Sequence, residues 1–166
     1  RCERQLVRRR KTMDTLKIIE QYFNAEARRA IEEKISEIEA GSDAEIRFMV
    51  QGREKVNEKS LNIRALAEAN FHSLGMQQTE RKTGFLIFVH LARRQFHIMG
   101  DSGITELLPD RSWSVHAEKL ADHFKGGRYL QGVEELLSEV GALLVQHFPR
   151  RPDDQNELDN RMVIAP

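Results

Sequence analysis

The turn Gly100-Asp101-Ser102-Gly103 has the composition of a ligand-binding loop. Its two glycines permit positive φ and let a ligand come close to the backbone amides. Asp101 offers a hard carboxylate oxygen, the donor type that Ca²⁺ and Mg²⁺ favour. Glu106 and Asp110 follow within ten residues and can fold back toward the same point. The same four residues also suit a plain Asx turn, in which Asp101 bonds only its own backbone. Ser102 sits in a setting found around some serine nucleophiles, but no His–Asp partnership for it can be read from the sequence.

Other chemistry-bearing residues are less organised. Glu32, Glu33, Glu37 and Glu39 read as a solvated helix face, with Glu33 and Glu37 one turn apart. His116 and His123 are seven residues apart on one expected helix, not the four that a helical metal pair needs. His116 falls on an apolar stripe and reads as a satisfied core residue. His97 leads into the glycine-flanked turn but stands alone. There is no nucleophile elbow, phosphate-binding loop or dinucleotide fingerprint.

The elements that must position these residues follow from hydrophobic periodicity. Residues 14–23 are amphipathic. Asn24 is placed to cap a second helix, in which Ala27, Ile31, Ile35 and Ile38 share a face and Gly41 marks the stop. Residues 45–51 alternate as a strand, with Ile46, Phe48 and Val50 on one side. Ser60 is the expected cap of a helix carrying Ile63, Leu66, Ala67, Phe71 and Leu74. Residues 85–91 are almost wholly apolar, as a strand buried on both faces should be. A tight turn at Ala92-Arg93 then leads to an alternating strand over residues 94–99. After the glycine-flanked turn, Ser112 is the expected cap of a helix bearing Trp113, His116, Ala117, Leu120 and Phe124. Gly126-Gly127 separates it from a last helix over residues 129–147. The expected fold class is α/β, a three-layer α/β/α sandwich with a small mixed central sheet. Residues 1–13 read as a basic disordered segment, 14–149 as the domain, and 150–166 as an acidic, partly ordered tail. Met13 is a candidate native start.

Composition narrows the function classes. The chain has 166 residues, 40% hydrophobic and 31% charged, enough for one domain with a real core. Lys plus Arg equals Asp plus Glu at 26 each, so no global field draws it to nucleic acid or anionic lipid. The single cysteine, Cys2, excludes an internal disulfide framework and Cys-rich zinc sites. No apolar run approaches the roughly 20 residues of a membrane-spanning helix. The basic start lacks the apolar stretch of a signal peptide, so a cytoplasmic monomer is expected.

Longer stretches carry a family resemblance. Ala67-Glu-Ala-Asn-Phe71-His-Ser-Leu-Gly75-Met76, then Thr79, Arg81, Gly84-Phe-Leu-Ile-Phe-Val89, Arg94 and Ile98-Met-Gly100-Asp101-Ser-Gly103-Ile104 resemble the TPM-domain family. Trp113, residues 124–132, Gly141 and Asn156-Glu157-Leu158 continue the pattern. The resemblance implies an α/β/α sandwich, binding of divalent cations such as Ca²⁺ or Mg²⁺, and acid-phosphatase activity toward phosphomonoesters. It also implies a role in the assembly or repair of membrane complexes in photosynthetic relatives. On that pattern Asp101 is the main metal ligand and the candidate catalytic residue. Asp43 and Asp110 support it as ligands, and Glu45 or Glu106 stand in reserve. Thr83, Gly84, Gly100, Ser102 and Gly103 would supply loop and backbone contacts. Thr83 stands where many members have Asn, and Ala44 where Gly is usual. The alternative is a non-catalytic domain that binds a protein partner in assembling or maintaining a complex.

Overall fold

The computed structural model describes residues 2–108 and 111–166. Its first helix, α1 (Cys2–Tyr22), runs through the basic segment that the sequence reads as disordered. That segment lacks an apolar stripe, but it is built mostly from Arg, Lys, Gln, Glu, Leu and Met, with no Gly or Pro. These residues lose little freedom in a helix. Only Thr15 and Ile19 of α1 are buried.

Helix α2 (Ala25–Ala40) begins as expected: Asn24 Oδ1 accepts from Ala27 N at 2.8 Å. Ala27, Ile31, Ile35 and Ile38 point into the core, and Gly41 N closes the end on Ile38 O at 3.0 Å. Strand β1 (Glu45–Gln51) sends Ile46, Phe48 and Val50 to the same core. Helix α3 (Ile63–Ser73) is capped by Asn62, whose side chain accepts from Ala65 N at 2.8 Å. Ser60 lies two residues too early, in the turn after a short 3-10 segment. Strand β2 (Gly84–His90) is buried at all seven positions. Strand β3 (Gln95–Gly100) returns through a four-residue loop, 91–94, rather than a two-residue turn. Arg94 takes φ 52° there, a strained value for a long side chain.

The one-turn helix α4 (Ser102–Thr105) is followed by α5 (Arg111–Lys125) and α6 (Tyr129–His147). Ser112, the expected cap of α5, lies inside that helix. Gly127, at φ 73°, makes the turn between α5 and α6. Gly141 lets α6 lie against α2, since an added Cβ would stand 2.6 Å from Ile38 Cδ1. The tail then comes back to the sheet. Its strand β4 (Val163–Ala165) pairs parallel with Met49, Val50 and Gln51. Three residues give too short a periodic signal to be read as a strand, and pairing with β1 is what orders them.

The sheet order is β3-β2-β1-β4, parallel except for the β2–β3 pair, so it is mixed. One face packs on α2, α5 and α6 with Ile19 and Phe23. The other packs on α3, with Met76 and, at its edge, Leu158. The fold is the expected α/β/α sandwich.

Candidate functional site

The N-terminal ends of β1 and β2 and the C-terminal end of β3 meet at one end of the sheet. Register sets this: Glu45 lies beside Gly84, and Phe85 beside Gly100. Asp101 N donates to Gly84 O at 2.8 Å, and Glu45 N to Thr83 O at 3.0 Å. Thr83 Oγ1 donates to Asp43 O at 3.0 Å, and Gly103 N to Lys82 O at 2.9 Å. Asp43, Thr83, Gly84 and Gly100 to Gly103 are therefore neighbours in the fold. Asp110 lies outside the described residues.

The two aspartates have different fates. Asp43 is buried, and both its carboxylate oxygens are committed. Oδ1 accepts from Arg151 N at 2.9 Å; Oδ2 accepts from Arg151 Nε at 2.6 Å and Arg81 Nη1 at 3.3 Å. Asp101 caps α4 through Oδ1, which accepts from Ser102 N at 2.7 Å. Its Oδ2 is buried with no hydrogen-bond partner among the described residues. β2 runs between the two aspartates, and two strand spacings amount to about 10 Å. Both Asp43 oxygens are already taken, so a cation at Asp101 shares Asp43 only where a bond to Arg81 or Arg151 opens.

Neither Gly100 nor Gly103 has positive φ. Gly103 is needed because the chain passes against the 81–82 backbone. An added Cβ would stand 2.6 Å from Lys82 O and closer still to Arg81 O. The space these glycines create is filled by the protein itself. Glu106 caps the C-terminal end of α4 and is exposed. Among the described residues no three His, Cys, Asp or Glu side chains gather as a metal cluster. His116 bonds Glu139 Oε2 through Nδ1 at 2.7 Å, as a satisfied residue should, and His123 pairs with Glu135.

A second carboxylate pair went unread in the sequence. Glu39 is only 7% exposed, and Oε1 accepts from Ile46 N at 2.7 Å. Burial and the neighbouring Glu45 push its carboxyl up to about 8, against the opposing bond from Ile46. Burial likewise raises Glu45 to about 7. Glu45 holds the tail: Oε1 accepts from Glu157 N at 2.9 Å. With its amide nitrogen turned to the carboxylate, Asn156 donates to Oε2 at 2.9 Å. The signal was available, because Glu39 is four residues beyond Ile35 and continues the stripe of Ala27, Ile31 and Ile35. Glu32, from the same supposedly solvated face, accepts from Met162 N at 2.9 Å.

Comparison with known proteins adds the following. The model of the TPM domain matches residues 19–143. The NMR structure of BA42 protein from the psychrophilic bacterium Bizionia argentinensis is 29% identical, with a TM-score of 0.75. That likeness covers 85% of this chain and 94% of the other. The N-terminal domain of a protein from P. gingivalis is 18% identical, with a TM-score of 0.56 over 70% of this chain and 72% of that one, a likeness of fold. No curated protein matches.

Proposed function

The chain belongs to the TPM-domain family, and from that premise we propose that it binds a divalent cation at Asp101 and hydrolyses phosphomonoesters at this end of the sheet. The observation that carries the reading is Oδ2 of Asp101, buried and without a partner among the described residues. A buried carboxylate oxygen without a partner is costly unless something positive meets it. The bond from Ser102 N fixes the carboxylate's orientation, so Oδ2 is the oxygen left to act. Arg81 starts from the backbone that packs on Gly103, and its side chain is half exposed while it touches Asp43. Such a guanidinium suits phosphoryl oxygens, which it can meet through two parallel N–H bonds. A bound cation would polarise a phosphoryl oxygen and make water a better nucleophile.

Amide chemical shifts followed during Ca²⁺ and Mg²⁺ titration test the binding. Saturable shifts over residues 100–103, lost in Asp101→Ala, are expected. Their absence at millimolar metal, the weak end of protein Ca²⁺ sites, overturns the reading. Turnover of p-nitrophenyl phosphate should fall at least ~10²-fold in Asp101→Asn, in line with loss of a metal-activating group. Equal turnover in the variant rejects catalysis here.

The second reading is a non-catalytic interaction domain. It draws on Asp43, whose two oxygens serve the fold, and on Gly103, whose open side is filled by the chain's own backbone.

A further inference from the structure

β3 is an edge strand, and none of the described strands pairs with its far side. The bond from Asp101 N to Gly84 O sets the phase of the β2–β3 ladder. Residues 95, 97, 99 and 101 then face β2, and Phe96, Ile98 and Gly100 turn their N–H and C=O groups outward. Edge strands are commonly guarded by Lys, Pro or a short length. β3 is six residues, QFHIMG, with neither Lys nor Pro.

A groove of about 750 Å³ follows this edge. Its walls come from both outer layers: Arg64 and Glu68 of α3 on one side, Trp113, Ser114 and Ala117 of α5 on the other. Arg64 and Glu68 neutralise each other at 3.0 Å, so that wall carries no net charge. Trp113 is 5% exposed, and its Nε1 has no hydrogen-bond partner among the described residues. Next in sequence to lining residues, Val115 is a large apolar side chain left mostly exposed.

We propose that this groove binds an extended segment of a partner protein, added to β3 as a further strand. Outward backbone groups repeating every second residue are met in register only by another extended backbone. The neutral α3 wall and the apolar α5 wall select a segment without net charge whose alternate side chains are apolar. Walls on both sides of the edge admit a single strand more readily than a second copy of the domain, which would bring its own flanking helices. This inference stands apart from the cation site, since no groove contact named here requires Asp101.

The test is selection from a display library of random eight-residue peptides on the full chain. It is followed by amide exchange with one chosen synthetic peptide, and the same selection is run on Ser114→Arg, an exposed position where the new side chain fills the groove. Expected is enrichment of neutral peptides with alternating apolar residues. At saturation, exchange at Phe96, Ile98 and Gly100 should slow at least ~tenfold, and Ser114→Arg, folded by its own spectrum, should lose binding. Three results overturn the proposal: no enriched sequence, equal binding by Ser114→Arg, or protection of these amides without peptide in a concentration-dependent dimer.

Discussion

Asp43 and Asp101 are the same residue type at the same end of one sheet, yet their surroundings give them different work. Asp43 is buried between Arg81 and Arg151, and removing it takes away the acceptor for Arg151 N, Arg151 Nε and Arg81 Nη1. Because both arginines keep contact with water, Asp43→Ala should cost only about 2 kcal/mol rather than the full penalty of a broken buried pair. Urea denaturation measures this, and the Asp101 metal titration should survive the change. Glu39 behaves in the opposite sense. Its carboxyl stays protonated in the fold up to about pH 8, while in the unfolded chain it ionises near 4.5. Below about 4.5 its contribution is fully present, and it is lost as pH rises through 8, because the unfolded state has already released the proton. Glu45 beside it and Arg47 nearby are the charged groups it feels. Stability should therefore fall from pH 5 to pH 9, and Glu39→Gln should shrink that slope while leaving the share that comes from Glu45. Parallel urea midpoints for the two proteins across this range would reject the assignment.

At the scale of elements, contacts between helices depend on what small residues leave room for. Gly141 brings α6 against Ile38 of α2, and Gly132 brings it against His123 of α5. Gly141→Ala adds good helix propensity but drives a methyl into Ile38. Overpacking should win, with a loss of about 1–3 kcal/mol seen in thermal unfolding. Stabilisation instead would mean that the α2–α6 contact gives way easily. The periodicity of α2, α6, β1 and β2 made these elements readable, since one buried face writes its period into the sequence. Caps were readable only where the side chain had no rival. Asn24 met its amide, while Asn62 displaced Ser60. The loop after β2 is longer than a primed hairpin turn because neither Ala92 nor Arg93 favours positive φ; Arg94 takes it instead.

In the whole molecule, the tail closes one side of the sheet. Residues 156–165 hold Glu45, Glu32 and the β1 edge through Glu157 N, Met162 N and β4. Deleting residues 154–166 should uncover the Glu39–Glu45 pair and lower Tm by roughly 5–10 °C, the shift expected for a few kcal/mol at this size. A truncated chain with unchanged Tm would mean that the tail is an accessory rather than part of the fold. None of the described strands pairs with the outer side of β3, so the two edges of one sheet are treated differently.

The sequence by itself determined the sandwich, the buried strand β2 and most helix boundaries, and it singled out the Gly100 to Gly103 turn. Each is a local pattern, written by periodicity, turn chemistry or an ordered series of family residues. It also brought forward Asp43, Thr83 and Gly84, which the fold does gather beside that turn. What only the tertiary structure decided is which oxygen remains free there. Arg81 and Arg151 reach Asp43 from distant parts of the chain, and strand order puts β2 between Asp43 and Asp101. The tail's hold on Glu45 and the strand made by residues 163–165 are likewise products of pairing across more than a hundred residues of chain. Such contacts leave no period in the sequence, because their energy comes from partners that only folding brings together.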